Sequence, residues 1–340
     1  MDKDRLLNLG NKSNKTYKWS ERLLIASSAI VKKYSSQSAF LILFTALIAL
    51  SCSPIFTKLS EAEISPSATL FNRLWISTII LTGFTSWQQG GDFLRSQDTP
   101  DVNLIPSPRN YKQQGLLILA SLAATASALC WAYSLTQTSV ASSTVIRSLT
   151  PIFIAAGSWL IFRQKCDRKF LAGMAISIMG GITIGWDDLQ LGREYLIGDG
   201  VALLSAALHG VNLLVAGYLR DRLDTVTILL WRCACGALVI LPLVWFTEIA
   251  IFPLSATGWL LVIALAIVCQ TFGQGLLVYS LKQFSSSFVG VFMLLKPIVS
   301  ALLAWVIFAE GINLINGAAV ILILWGIYLA KSSKSSEKTA

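Results

Sequence analysis

Ten runs of apolar residues divide this chain. They cover 39–57, 68–87, 114–135, 139–162, 170–186, 197–218, 225–247, 258–281, 284–309 and 312–330. Each is near the roughly 20 residues an α-helix needs to cross a hydrocarbon layer. The runs are apolar on every face instead of alternating, so the pattern predicts membrane-spanning helices and excludes barrel strands. Most polar connections are short. The longest, 88–113, holds Gly90-Gly91, Pro100, Pro106 and Pro108, all loop residues. Ahead of the first run, residues 1–38 are polar and basic around a nine-residue apolar patch, Leu23 to Val31, too short to span. Lys32 and Lys33 follow it, where a signal peptide needs small residues. The segment reads as a cytoplasmic extension, either a helix lying on an anionic membrane surface or a disordered tail.

Composition agrees. The 340 residues are 54% hydrophobic and 13% charged, with a mean hydropathy of +0.65. An ordinary soluble domain carries about 25% charged residues. A water-soluble enzyme and a disordered chain are both excluded, because neither hides so much apolar surface. The six cysteines form no CxxC pair, and the chain has one histidine. Small buried apolar roles are expected for the cysteines, and no metal site or cofactor is expected.

The net charge of +9 first suggests nucleic acid, but the positions of the basic residues answer that. With the N-terminus inside, 21 of the 27 basic residues fall in inner segments, and only Lys58 and Arg193 fall in outer loops. By the positive-inside rule both termini are cytoplasmic, in a multi-pass protein of the plasma (inner) membrane. The basic residues follow a membrane face, so nucleic-acid binding is not expected. The expected partners are the lipid bilayer and a small-molecule substrate, and no oligomeric state is assigned.

The chain also repeats itself. Over 133–162 against 279–308, 13 of 30 positions are identical, among them Tyr133/Tyr279, Gln137/Gln283, Ser139/Ser285, Pro151/Pro297 and Trp159/Trp305. Arg73 and Arg232 form an earlier pair at a slightly different offset. The expected plan is therefore a basic extension over 1–38, a first five-helix repeat over 39–186, a second over 187–330, and a cytoplasmic tail over 331–340. An odd number of helices per repeat places the second copy upside down. The predicted fold is all-α integral membrane, ten transmembrane helices as two inverted five-helix repeats. That plan recurs in secondary transporters, which bind substrate between the copies near the midplane.

Several segments carry a family resemblance. They are Ser53-Pro54-Ile55-Phe56-Thr57-Lys58 with Ser65-Pro66 and Asn72-Arg73, Leu149-Thr150-Pro151-Ile152-Phe153 through Phe162, and Leu295-Lys296-Pro297-Ile298 through Ala309-Glu310. In order and in doubling they resemble the drug/metabolite transporter superfamily, in its EamA branch, over 39–330. Gln164 departs from the pattern where a glutamate is common, and the tail over 1–38 lies outside it. The resemblance implies a small-molecule carrier, often an exporter of amino acids or other metabolites.

No acidic residue lies well inside a span, but Arg73, Arg147, Arg232 and Lys296 do. A charge at membrane depth costs several kcal/mol unless it meets water or a partner, so each is a candidate. At 1.5 Å per residue, Lys296 lies about 18 Å into its helix and Arg147 about 12 Å from the outer end of its own. Both are expected to face a central cavity and bind an anionic group, the arginine as a fork and the lysine as a point charge. The bland alternative is pairing with helix-end carbonyls or snorkelling. Arg73 and Arg232, nearer helix ends, are read as structural. His209, beside Gly210 and Asn212, titrates near neutral pH and joins the candidate substrate site, with a structural role as its alternative. Gln274 is expected to hydrogen-bond substrate, and Trp131, Tyr133 and Tyr279 to wall the cavity. Pro54, Pro151 and Pro297 each interrupt a helix and are candidate hinges. Trp87, Trp186, Trp245 and Trp259 sit at span ends like interface anchors.

The reading is a non-enzymatic carrier, secondary-active or facilitative, of a small polar anionic or zwitterionic metabolite such as an amino acid or organic acid. It works by alternating access. The lack of a buried acid favours a facilitator or an anion-coupled exchanger over a proton antiporter. The rivals are an exporter of cationic drugs, which would want a buried carboxylate, and a non-transporting scaffold or sensor, which would want a soluble signalling domain.

Overall fold

The computed structural model describes residues 38–95, 110–164, 166–184, 195–248, 250–308 and 314–337. Residues 1–37 of the extension, with Trp186, Arg193 and Glu310, lie outside the described residues. The described chain forms helical rods, numbered here in order: α1 (Ser38–Ser60), α2 (Pro66–Arg95), α3 (Tyr111–Gln137), α4 (Val140–Arg147 and Thr150–Phe162), α5 (Arg168–Ile184), α6 (Leu196–Leu219), α7 (Thr225–Thr247), α8 (Ala256–Ser280), α9 (Ser286–Phe292 and Lys296–Phe308) and α10 (Leu314–Lys331). Among the described residues, α1, α3, α4, α6, α7 and α8 are long and apolar enough to cross a membrane. The expected ten spans thus have six that meet the requirement by length and composition.

Starts follow local chemistry. Ser139, Ser285, Asp224 and Ser255 each accept a backbone N–H three residues ahead and cap α4, α9, α7 and α8. Large apolar side chains point outward, among them Phe246 at 85% exposure and Leu160 at 76%, a surface suited to lipid. Between the rods small hydroxyls bond across to backbone: Ser77 donates to the Ala266 carbonyl, Ser121 to Trp231 and Ser300 to Ser51. α5 and α10 touch backbone to backbone. A Cβ at Gly173 would stand 2.5 Å from the Gly326 carbonyl oxygen, and one at Gly326 2.5 Å from that of Gly173.

The rods run in alternating directions, and their ends can be told apart by contacts. At one end Ser285 donates to the Ser335 carbonyl and its N–H to that of Ser336, while Ser333 donates to Asp167. Arg220 stands over the Tyr279 ring, and Lys331 over Phe40 at the start of α1. At the opposite end Glu63 accepts from the N–H groups of Leu254 and Ser255, Ser67 bonds Glu248, and Thr138 donates to Asp199 in the first turn of α6. α1 and α6 therefore start from opposite ends, so the two runs of five rods are inverted relative to one another.

Three rods are broken at proline. Each of Pro54, Pro151 and Pro297 lies in the first two residues of a new helical segment. A proline has no N–H for the carbonyl four residues back. In α4 the orphaned Arg147 carbonyl accepts the Thr150 hydroxyl at 2.7 Å. In α9 the orphaned Met293 carbonyl accepts the Lys296 N–H within a 3-10 turn, Met293–Leu295. A further irregularity has no proline. Leu265–Gly273 within α8 is π-helical, and Gly273 at its end packs on Ala49 and Leu50 of α1. The Cys269 thiol donates to the Ala49 carbonyl in the same contact.

Candidate functional site

The four basic residues inside the spans come from four rods, two in each run of five: Arg73 from α2, Arg147 from α4, Arg232 from α7 and Lys296 from α9. They share one neighbourhood. Lys296 lies within electrostatic reach of Arg147 and Arg73, and Arg73 within reach of Arg232. His209 of α6 feels Arg147, Lys296 and Arg232. Arg73, Arg147, His209 and Lys296 keep part of their surface accessible although they sit deep among the rods.

Arg147 is held. Its Nη1 donates to Ser205 Oγ at 3.1 Å, and its guanidinium lies over the Trp131 ring, 5.2 Å from the centroid. Ser205 in turn is locked to Ser127, since each hydroxyl donates to the other residue's carbonyl at 2.8 Å. Lys296 differs, for among the described residues its Nζ has no hydrogen-bond or ion-pair partner. Arg73 Nε, Trp131 Nε1 and Asn212 Oδ1 are buried polar atoms without partners. Such atoms cost about 1–3 kcal/mol each unless something meets them.

Five of the described carboxylates are placed by their contacts. Asp167, Asp199, Asp224, Glu63 and Glu248 sit at rod ends or in loops, bonded there to serine and threonine hydroxyls. No ion pair or hydrogen bond joins any of the four cations to a carboxylate among the described residues. A separate open cleft of about 380 Å³ is lined by Phe71, Trp75, Phe252 and Trp259. Phe71 and Trp75 are two residues from Arg73, roughly 200° round the helix, so the cleft lies on the other face of α2.

Comparison with known proteins decides the family. A model of the EamA-like transporter family matches residues 37–186 and again 196–331. The chain belongs to the EamA-like transporter family. An uncharacterized transporter of Archaeoglobus fulgidus is 21% identical over 288 residues, 82% of this chain and 92% of that one. The uncharacterized transporter YetK of Bacillus subtilis is 21% identical over 61% of this chain and 64% of its own. One solved crystal structure superposes with a TM-score of 0.71 at 18% identity, covering 86% of this chain and 96% of the other, and so shares its fold.

Within this EamA-like chain the expected site residues separate into two groups. Arg147, Lys296, His209 and Trp131 come together, and Arg73 and Arg232, read from sequence as structural, join them. Tyr133 and Tyr279 do not. Tyr133 is 53% exposed, two residues from Trp131 and hence on the opposite face of α3. Tyr279 is 42% exposed and partners Arg220 at the end of the bundle. Gln274 follows the π-segment, and no contact links it to the cluster among the described residues. Its neighbour Gln270 is nearer, donating to Cys233 Sγ beside Arg232. Ser205 was missed by the sequence reading. The available signal was its position one helical turn before His209, which puts the two on one face of α6.

Proposed function

We propose that this EamA-like transporter is a carrier of a small anionic or zwitterionic metabolite, secondary-active or facilitative, resident in the plasma membrane with both termini cytoplasmic. Substrate sits between the two inverted copies, among Arg147, Lys296, His209 and Trp131. The copies alternate access by flexing at Pro54, Pro151 and Pro297. One observation carries this reading: four cations share one deep neighbourhood with no carboxylate to meet them among the described residues. Uncompensated charge in a low-dielectric interior is costly, so the arrangement suits a ligand that brings the missing negative charge. Arg147, positioned by Ser205 and Trp131, would grip a carboxylate or phosphate edge, and the unpartnered Lys296 would add its charge. A cationic drug would raise the repulsion.

The test is a thermal-shift screen of purified protein against amino acids, organic acids, phosphates and lipophilic cations, followed by flux into liposomes. Anionic or zwitterionic compounds should raise the melting temperature, and Lys296→Gln should remove that rise. Stabilisation by lipophilic cations alone would sink the proposal.

A further inference from the structure

The chain does not leave the bundle where α10 stops. Ser333 caps a single 3-10 turn, Lys334–Ser336, by accepting the Ser335 N–H at 3.0 Å. The buried Ser336 hydroxyl lies between the Ser333 carbonyl at 2.7 Å and the Lys331 carbonyl at 2.9 Å. Serine hydroxyls thus fold Ser332–Glu337 back on itself, although the segment holds no apolar side chain to bury.

The folded segment takes hold at two places. On the first copy, just past the end of α4, its Ser333 hydroxyl donates to Asp167 Oδ2 at 3.2 Å and its Ser335 hydroxyl accepts the Asp167 N–H at 2.9 Å. On the second copy, its Ser335 carbonyl accepts the Ser285 hydroxyl at 2.7 Å and its Ser336 carbonyl the Ser285 N–H at 3.0 Å. Glu337 pairs with Phe284 beside that contact in antiparallel fashion. Ser285 is also the cap of α9, accepting the Phe288 N–H.

Between the two footings runs the seam that closes this end of the bundle. Phe162 of α4 stacks on Tyr218 of α6 with centroids 5.6 Å apart, and Ser158 Oγ lies 3.4 Å from Ser287 Oγ of α9. A Cβ at Gly290 of α9 would stand 2.5 Å from Ile154 Cδ1 of α4. Alternating access between the copies, the reading on which this step rests, requires that seam to part. A strap footed on both sides of the seam cannot keep both footings while it does. We infer that Ser332–Glu337 is a gate strap, which bolts this end shut and lets go of Asp167 or Ser285 before the end opens. The match to the family model stops at residue 331, so the strap lies outside the part this chain shares with the family.

The test is hydrogen exchange, read by mass spectrometry on the full chain in lipid nanodiscs. Ser333→Ala/Ser336→Ala removes hydroxyls that fold the strap and leaves the apolar contacts of the bundle alone. Peptides covering Ile154–Phe162 and Ser286–Phe292 should exchange at least about tenfold faster, the ratio that about 1.4 kcal/mol of lost closure produces. Asp167→Ala removes the first-copy footing and touches nothing in α9, yet exchange at Ser286–Phe292 should rise at least about threefold. That variant decides the matter if the double variant fails to fold. Both peptides at the wild-type rate would overturn the strap and leave alternating access untouched. Acceleration spread equally over α7 would mark a general loss of stability and would also overturn it. Acceleration at the seam with slower exchange of the Leu254 and Ser255 N–H groups, at the opposite end, would support both readings. Acceleration at the seam with that end unchanged or faster would support the strap and count against alternating access.

Discussion

α4 and α9 start from a common sequence and arrive at their prolines by different means. Both begin at a capping serine, Ser139 or Ser285, and both break before Pro151 or Pro297. In α4 the residue before the proline is Thr150, whose hydroxyl satisfies the carbonyl the proline orphans. In α9 the same register holds Lys296, which has no hydroxyl, and the chain tightens into a 3-10 turn that lets its own N–H take over. The positive charge has moved too. It precedes the break by one turn in α4, as Arg147, and stands at the break in α9, as Lys296. One copy therefore offers a cation locked by neighbours, and the other a cation whose side chain has no partner among the described residues. A pair of identical breaks would have placed two equivalent charges; here the two charges differ in how they are anchored.

The sharpest way to break that comparison is to exchange the two cations. Arg147→Lys keeps the charge but loses the fork and the ring contact. Apparent affinity for the proposed anionic substrate should fall about 10–100-fold, the worth of about 1.5–3 kcal/mol in a charge-assisted contact. Lys296→Arg should stay within about threefold in the same assay, because a freely placed charge is what that position supplies. Equal losses at both positions would show that the difference in anchoring has no functional weight.

A smaller effect is expected from Thr150→Val. It leaves the Arg147 carbonyl without the hydroxyl, at a cost of about 1–2 kcal/mol, and the melting temperature should drop by a few degrees. Ser205→Ala removes one hydrogen bond to Arg147 and should weaken anion affinity about fivefold, from about 1 kcal/mol. Both act on the α4 side alone, so parallel changes in the accessibility of α9 to a thiol reagent would contradict a local role.

The smallest effect serves as a control remote from either break. The hydrogen bonds that Glu63 accepts from Ser255 and Leu254 hold its carboxyl below its ordinary pKa of 4.5. A depressed carboxyl stabilises the fold above its unfolded pKa and loses that contribution as pH falls through the folded one. Glu63→Gln should therefore lower the melting temperature slightly at neutral pH. Below pH 4.5 the gap should close, and anion affinity should be unchanged throughout.

Much of the architecture was legible because the length of an apolar run is a direct measure of bilayer crossing. The run read as 225–247 is the rod Thr225–Thr247. The run read as 68–87 extends as helix to Arg95, since hydropathy marks the edge of lipid and not the end of backbone hydrogen bonding. The π-segment of α8, which ends where Gly273 packs on α1, has no proline to announce it in the sequence. At the candidate site Arg147, Lys296 and His209 stood out as polar residues in apolar runs. Tyr133 misled for a related reason: residue type is visible in a sequence, but the face it occupies follows from where neighbouring rods pack. Ser205 was hidden because a serine is unremarked in any membrane helix until an arginine reaches it.

The contact of Gly173 with Gly326 gives the molecule a fixed baseline. Two backbones that meet without side chains leave no slack for a ratchet, so α5 and α10 travel together. Paired spin labels across them should report one narrow distance with or without anion. Labels from that baseline to α4 and α9 then measure any travel of the broken rods alone, a ruler built into the bundle.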